Sequence, residues 1–453
     1  MKKTSAKKFT WKQYLVVASM IFALFFGAGN LIFPLHLGQL AGRNWMVAAA
    51  GFLVTGVLLP LLSLLAVSIT HSSGVYGLGR PLGHIWALIF MVVIQLTLGP
   101  LFATPRTATV PYTIGIAPLL PAKFQQLGLL LFSLIFFALV FWISYNQSDI
   151  LSKLGKVLNP IFLVLLFLIF LVGFLHPMGN PATIQPTTAY LHAGFINGFL
   201  EGYNTLDAIA GLVFGIAIVT AIKTMTKNTD QVSSILAKSG LLAMIGIGII
   251  YVCLIVLGAM SLGHLKVSTD GGVAFTQIVN YYGGIFGQTV LAVLIILTCL
   301  TTSVGLAAAF AEDFHNHFPK LSYHGWLAIA CIVSAILANL GLEKIIVWSL
   351  PVLMFLYPLT IVLIVLSVCS PLFKRDHVVF KISMILTLIP AIFDLISNLP
   401  EPLASTSFVK EVITLRLHIL PLANIGLAWL VPALVGILLG IIVHLYRRKK
   451  EII

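Results

Sequence analysis

Apolar runs of about 20 residues, parted by short polar stretches, repeat along almost the whole chain. At a helical rise of about 1.5 Å per residue, one such run crosses the hydrocarbon layer of a bilayer. Twelve can be placed: Tyr14 to Pro34, Met46 to Ile69, Ile85 to Thr104, Leu127 to Tyr145, Leu158 to Leu175, Gly198 to Ile222, Gly240 to Met260, Ile285 to Phe310, Trp326 to Leu342, Ile345 to Val368, Phe380 to Leu399 and Leu420 to Tyr446. The ninth and tenth are the least separable. The pattern predicts an all-α polytopic membrane protein of about twelve transmembrane helices. No polar stretch is long enough to divide it, so residues 1–453 read as a single membrane domain.

Three runs break their own pattern. The first reads ALFFGAGNLIFP from Ala23, with Gly27 and Gly29 in its middle, and each interior glycine costs about 1 kcal/mol relative to alanine. Asn30 adds a side chain that competes for backbone hydrogen bonds. Two readings follow: a close helix contact through small residues, or an unwound turn whose freed polar groups are met by protein, water or a ligand. The sixth run opens GFLEGYNTLDAIAGLVFG from Gly198 and carries Gly202, Tyr203, Asn204, Thr205 and Asp207 where Leu and Val are usual. Glycine-interrupted spans in the first and sixth places point to two inverted repeats of five helices with a binding site between the breaks, the first repeat over 14–175, the second over 198–368, and two further helices over 380–446. The eighth run places Thr301, Thr302 and Ser303 side by side. They fit either back-bonding to the preceding turn or ligation of a small alkali cation by hard oxygens.

Composition agrees with the membrane reading: 59% of the 453 residues are hydrophobic and 9% charged, against about 25% charged in soluble domains. With both termini on the cytoplasmic side, nineteen Lys and Arg fall on that side and six on the other, with Arg106 at a span end. The net charge of +13 is therefore topological and calls for no nucleic-acid partner. The Lys-rich start, Lys2 to Lys8, precedes a run too long for a signal peptide and reads as the flank of a retained first span. Cys253, Cys299, Cys331 and Cys369 lie in apolar runs without metal or disulfide spacing, and the His315, His317 and His324 group fits loops better than a metal site.

The breaks suggest a chemistry. Half-helices that end at mid-membrane aim amides with partial positive charge at a carboxylate, and carbonyls beyond the break suit an ammonium or Na⁺, so the pair fits a zwitterion. Phe25, Ile32 and Leu206 are the apolar residues placed to receive its side chain. Intramembrane carboxylates default to functional sites, so Asp207 is a gating or coupling candidate, whereas Asp394 in the eleventh run reads as a structural hydrogen-bonding group. Arg106, between prolines in GPLFATPRTATVP, fits either a gate or a snorkelling cation. Lys156 fits either a cytoplasmic anchor of the fifth span or a protonatable substitute for a bound cation. A channel would show a filter or charged ring, and an embedded enzyme an HExxH or a deep Ser/His pair; the sequence has neither, so no enzyme is expected.

FFGAGNLIFP, GPLFATPRTATVP, EGYNTLDAIAGLVFG, LTTSVGLAAAFAEDF and NLGLEKII with SLPVLMFLYPLTIVLI, in order along nearly the whole chain, resemble the bacterial branched-chain amino-acid carriers of the Leu/Ile/Val:cation symporter family. That family is placed in the amino acid, polyamine and cation superfamily, with the inverted-repeat fold of the bacterial leucine transporter. The resemblance implies import of leucine, isoleucine and valine across the cytoplasmic membrane with a Na⁺ or H⁺ gradient; the alternative is another neutral amino acid or related metabolite. It implies a substrate site at Gly27, Ala28, Gly29, Asn30, Tyr203, Asn204 and Thr205, and a cation site at the carbonyls of Ala23 and Phe26 with the hydroxyls of Thr302 and Ser303. No cofactor beyond the coupling ion and no obligatory protein partner is implied.

Overall fold

The computed structural model describes residues 9–27, 29–145, 150–226 and 231–452, with backbone alone over 150–159 and 450–452. Among the described residues every regular element is helical. In chain order these are α1 (Trp11–Phe25), α2 (Gly29–Ala41), α3 (Trp45–Leu53), α4 (Leu59–Ile69), α5 (Val75–Gly79), α6 (His84–Leu96), α7 (Ala103–Pro111), α8 (Ala122–Tyr145), α9 (Ile150–Leu175), α10 (Thr188–Glu201), α11 (Asp207–Met225), α12 (Val232–Ser261), α13 (Gly271–His317), α14 (Tyr323–Ala338), α15 (Leu342–Cys369), α16 (His377–Ser397), α17 (Ser407–Ile419) and α18 (Leu430–Ile452).

The expected first and sixth spans are each two half-helices, α1 with α2 and α10 with α11. Three-residue and four-residue 3₁₀ turns and five-residue π turns join or extend other pieces. A π turn at Val54–Leu58 links α3 to α4, and a second at Thr97–Leu101 links α6 to α7 around Gly99, whose ψ of −117 is not helical. Pro100 explains the second: a proline inside a helix has no N–H to give and its ring crowds the carbonyl four residues earlier. A further π turn at Tyr112–Ile116 carries this span on to Leu119, well past the expected end at Thr104.

Other boundaries also move. The sixth span starts at Thr188 rather than Gly198; its first half (TAYLHAGFINGFLE) mixes His192, Asn197 and glycines with apolar residues and so lacks a membrane hydropathy signal. The eighth run extends back to Gly271 through a bend at Gly284, whose φ of 55 with ψ of −157 only glycine adopts readily. The expected start of the twelfth span at Leu420 is a turn region, with Leu422 and Gly426 left-handed, and α18 begins at Leu430.

Small residues build two crossings. A Cβ on Gly38 would lie 1.9 Å from the Ile255 carbonyl oxygen, and one on Gly258 2.0 Å from that of Leu35, so α2 and α12 touch backbone to backbone. Gly51 and Gly198 do the same for α3 and α10, at 1.9 Å from Phe195 and 2.0 Å from Ala48. This is the small-residue contact by which membrane helices pack without a hydrophobic drive between them. Gly27 makes no such contact: its nearest neighbour for a Cβ is the Thr302 methyl at 3.4 Å, an ordinary distance. The close-packing reading of GAGN therefore loses to the unwound one.

Candidate functional site

The first break begins where Phe26 leaves the helix with φ −77 and ψ 98; Gly27 belongs to neither half, Ala28 lies outside the described residues, and the chain is helical again from Gly29. Gly29 and Asn30 thus form the first turn of α2, whose leading amides have no acceptor within the helix. Pro34 adds to this: lacking an N–H, it leaves the Asn30 carbonyl without its usual helical donor. The Gly27 amide, by contrast, is already engaged, donating to Asn30 Oδ1 at 3.0 Å. Of the amides expected for a substrate carboxylate, Gly27 is thus occupied by the neighbouring side chain.

The second break is a 3₁₀ turn, Gly202–Thr205, followed by Leu206 in the left-handed region with φ 63 and ψ 5. A leucine there costs about 1–2 kcal/mol, backbone strain of the kind found at functional sites. The turn sets Asp207 at the N-terminus of α11, where a carboxylate meets the positive end of the helix. Asp207 is 3% exposed. Its Oδ2 accepts from Asn30 Nδ2 at 2.7 Å and from the Tyr251 hydroxyl at 2.8 Å, and Asn30 Nδ2 also donates to Tyr251. Gly27, Asn30 and Asp207 therefore form one chain of hydrogen bonds that ties the two breaks together. Among the described residues Asp207 has no basic group within ion-pair distance.

Arg106 is buried, with 3% exposure, and does not snorkel. The span it belongs to runs on to Leu119, so the arginine lies within the protein and not at a membrane surface. Its Nη1 donates to the Asn204 carbonyl at 2.9 Å, its Nη2 donates to the Ser349 hydroxyl, and its guanidinium lies 5.2 Å from the centre of the Phe33 ring. One side chain from α7 thus joins the second break, α15 and α2.

A cavity opens between the breaks. Gly27, Gly29, Asn30, Asn204, Thr205 and Asp207 line it, with Arg106 and Thr302, and its apolar wall includes Leu24, Phe25, Leu206 and Phe214. Two expected members are elsewhere. Tyr203 stacks on Tyr357 at 4.0 Å and 12°, turned toward α15, and Ile32 is fully buried with its backbone against Gly271. Tyr203 misses the wall because it follows the 3₁₀ turn of the second break, and Ile32 because α2 packs it against the start of α13.

Of the expected cation ligands, Thr302 lies across the cavity wall from Gly27, and its hydroxyl also donates to the Thr298 carbonyl at 3.2 Å. Ser303 is fully buried and its Oγ has no hydrogen-bond partner among the described residues. A buried polar atom without a partner is costly, but Ser303 shares this state with Ser144, Ser239, Ser334 and Ser367, and it does not line the cavity. Ala23 lies in the last turn of α1, and Phe26 packs its ring on Phe22 at 5.0 Å and Phe162 at 6.0 Å. Lys156 falls in α9, and its side chain is outside the described residues. No group of three or more metal-binding side chains occurs among the described residues, and His315, His317 and His324 make separate contacts. Asp394 accepts from Arg416 Nε at 2.7 Å and pairs with Nη2 at 2.7 Å, the structural role expected of it.

Tyr251, Ser349 and Phe33 join the site without having been singled out in the sequence. Only Tyr251 leaves a signal there, as a lone hydroxyl in the apolar middle of its span. Against this geometry, the family described as "Branched-chain amino acid transport protein" matches residues 10–447. The chain belongs to that family. Within the family it is 41% identical over 432 residues to the branched-chain amino acid permease BrnQ of Lactobacillus delbrueckii subsp. lactis, covering 95% of this chain and 96% of that one. It is 38% identical over 448 residues to BrnQ of Bacillus subtilis, covering 98% and 100%. The family is one of transport proteins, not enzymes. Among solved structures, the inward-facing conformation of Mhp1 matches with a TM-score of 0.61 at 13% identity, over 96% of this chain and 91% of that one. MhsT in complex with L-phenylalanine matches at 0.59 and 14% identity, over 94% and 98%. The fold of this family member is the leucine-transporter-type inverted repeat with helices one and six broken, in a multi-pass membrane protein.

Proposed function

We propose that the protein is a secondary active symporter that imports leucine, isoleucine and valine by alternating access, driven by a Na⁺ or H⁺ gradient. The observation that carries this reading is the hydrogen-bonded chain from Gly27 through Asn30 to Asp207, which makes the two breaks walls of one cavity in a member of a branched-chain amino acid transport family. The amides of Gly29 and Asn30 take the substrate carboxylate, and the carbonyls of Asn204 and Thr205, which line the cavity in the second break, take its ammonium. Phe25, Leu206 and Phe214 receive the branched side chain. A single methylene is worth about 1–3 kcal/mol in such a pocket, so the three substrates share it.

The carbonyls of Ala23 and Phe26 with the hydroxyls of Thr302 and Ser303 form the cation site. A cation there bridges α1 and α13, and coupling follows if it binds one conformation more tightly than the other. Asp207 bears on the same balance, because a buried carboxyl group with no basic partner among the described residues is a place where a cation or proton can be taken up. Arg106 closes the outer side of the cavity. Residues 14–175 and 198–368 form the two repeats, residues 380–446 lie outside them, and both termini face the cytoplasm of a bacterial cell.

Uptake of labelled leucine into proteoliposomes, challenged with unlabelled amino acids, tests the substrate class. Isoleucine and valine should compete at concentrations similar to leucine. Equal competition by alanine or phenylalanine would move the reading to a general neutral amino-acid carrier.

A further inference from the structure

Away from the cavity, a groove of about 370 Å³ opens on the outer surface of the helix bundle, lined by Trp86, Ile89 and Phe90 of α6, Phe355 and Leu359 of α15, and Lys381 and Ile385 of α16 among others. Its walls are almost wholly apolar, and Trp86, Ile89 and Ile385 are exposed on it. From Trp86 to Val93 and from Lys381 to Leu388 it runs about 10 Å by helical rise, so it spans part of one leaflet. One end is basic. Lys381 lines the groove, and Arg80 stands two residues before Leu82, which also lines it, in the turn that packs against α16.

Among the described residues those two cations have no carboxylate within ion-pair distance. The nearby carboxylate, Asp376, is held by His444 Nδ1 at 2.7 Å and lies 3.6 Å from His377. Arg375 turns inward to donate to the carbonyls of Thr70 and Gly77, at 3.2 and 2.7 Å, and to the Ser72 hydroxyl at 3.2 Å. Burial lowers its guanidinium from the ordinary value, and the charge of Arg80 lowers it further, so Arg80 has a like charge and not an anion beside it. Lys374, the remaining cation of this loop, is exposed. Among the described residues neither Arg80 nor Lys381 forms an ion pair.

We infer that this groove is a binding site for an anionic glycerophospholipid, with one acyl chain laid between α6, α15 and α16 and the phosphate held by Lys381 and Arg80. An apolar slot on the bilayer side needs no special occupant, because any lipid tail fills it. The paired unneutralised cations at one end select the headgroup, as basic pockets between membrane helices do. Charge complementarity favours an anionic headgroup at the basic end, and the almost wholly apolar walls suit an acyl chain better than a peptide backbone, whose polar groups would go unpaired there.

Native mass spectrometry of the full-length protein in detergent, with an equimolar mixture of phosphatidylglycerol and phosphatidylcholine of the same acyl chains, tests this directly. Phosphatidylglycerol should be retained preferentially. Each cation near the surface is worth roughly five-fold in affinity, so Lys381→Gln with Arg80→Gln should erase the preference, a loss of about 30-fold. Ile385→Trp, which fills the groove and keeps both charges, should weaken retention of either lipid. Equal retention of the two lipids by the unaltered protein would overturn the proposal without any variant. A preference that survives the double substitution, or retention unchanged by Ile385→Trp in a protein of unchanged melting temperature, would also overturn it.

Discussion

A carboxylate in the middle of a span costs about 3 kcal/mol to insert, and Asp207 is kept there with two hydrogen-bond donors on one oxygen and no basic partner among the described residues. Asp207→Asn preserves the size and leaves an oxygen to accept from Asn30 and Tyr251, but removes the titratable carboxyl group. Gradient-driven accumulation of leucine should fall at least about tenfold, with leucine exchange at equilibrium largely retained. Accumulation equal to the unaltered protein would show that the carboxylate is structural. Thr302→Ala with Ser303→Ala removes the hydroxyl nearest Gly27 and the orphaned one beside it. The concentration of driving ion for half-maximal uptake should rise by tenfold or more; an unchanged dependence would remove the cation-site assignment. Arg106→Lys keeps a charge but loses the fork that reaches Asn204 and Ser349 together, so it should slow transport with little effect on folding. Thermal melts and uptake rates measured side by side check that separation.

At the scale of elements, the glycines divide into two kinds with opposite predictions. At Gly38 a methyl group would meet the Ile255 carbonyl at 1.9 Å, so Gly38→Ala should cost about 1–3 kcal/mol through overpacking of α2 on α12. At Gly27 the same methyl has room, so Gly27→Ala should melt within about 1 kcal/mol of the unaltered protein while altering uptake through its contact with Thr302. Reversal of that order would mean the break is held by packing. The breaks themselves are legible in the sequence, since GAGN and EGYNTLD put glycine and amide residues where a membrane helix has no use for them. What surrounds them is less so. The first half-helix of the sixth span, α10, is too polar to register as a span, and α17 carries charges. Arg106 seemed to sit at a span end only because π turns around Pro100 and after Pro111 prolong the helix beyond any regular period. Tyr203 enters the expected site through the resemblance and Ile32 as an apolar residue close to the first break, and neither ground fixes where a side chain points. Tyr251 is distant in sequence and becomes part of the site only through packing of α12 against α1 and α2.

For the whole molecule, hydropathy carries the architecture because each span must satisfy its own backbone in lipid. Among the described residues nine helical stretches are long and apolar enough to cross a membrane, and three shorter apolar helices, Trp11–Phe25, Pro160–Leu175 and Tyr323–Ala338, complete the expected twelve. If nineteen basic residues against six set the orientation as proposed, a fluorescent protein fused after Ile453 should fold and fluoresce in the cytoplasm. A fusion that is dark at normal expression, with activity only for a periplasmic reporter, would invert the topology. Uptake of leucine into proteoliposomes, with a Na⁺ gradient and a proton gradient imposed separately, tests the central claim of gradient-driven symport most directly. The account predicts accumulation above the external concentration with one of the two gradients, abolished when that gradient is collapsed. Equilibration without accumulation under both would contradict it.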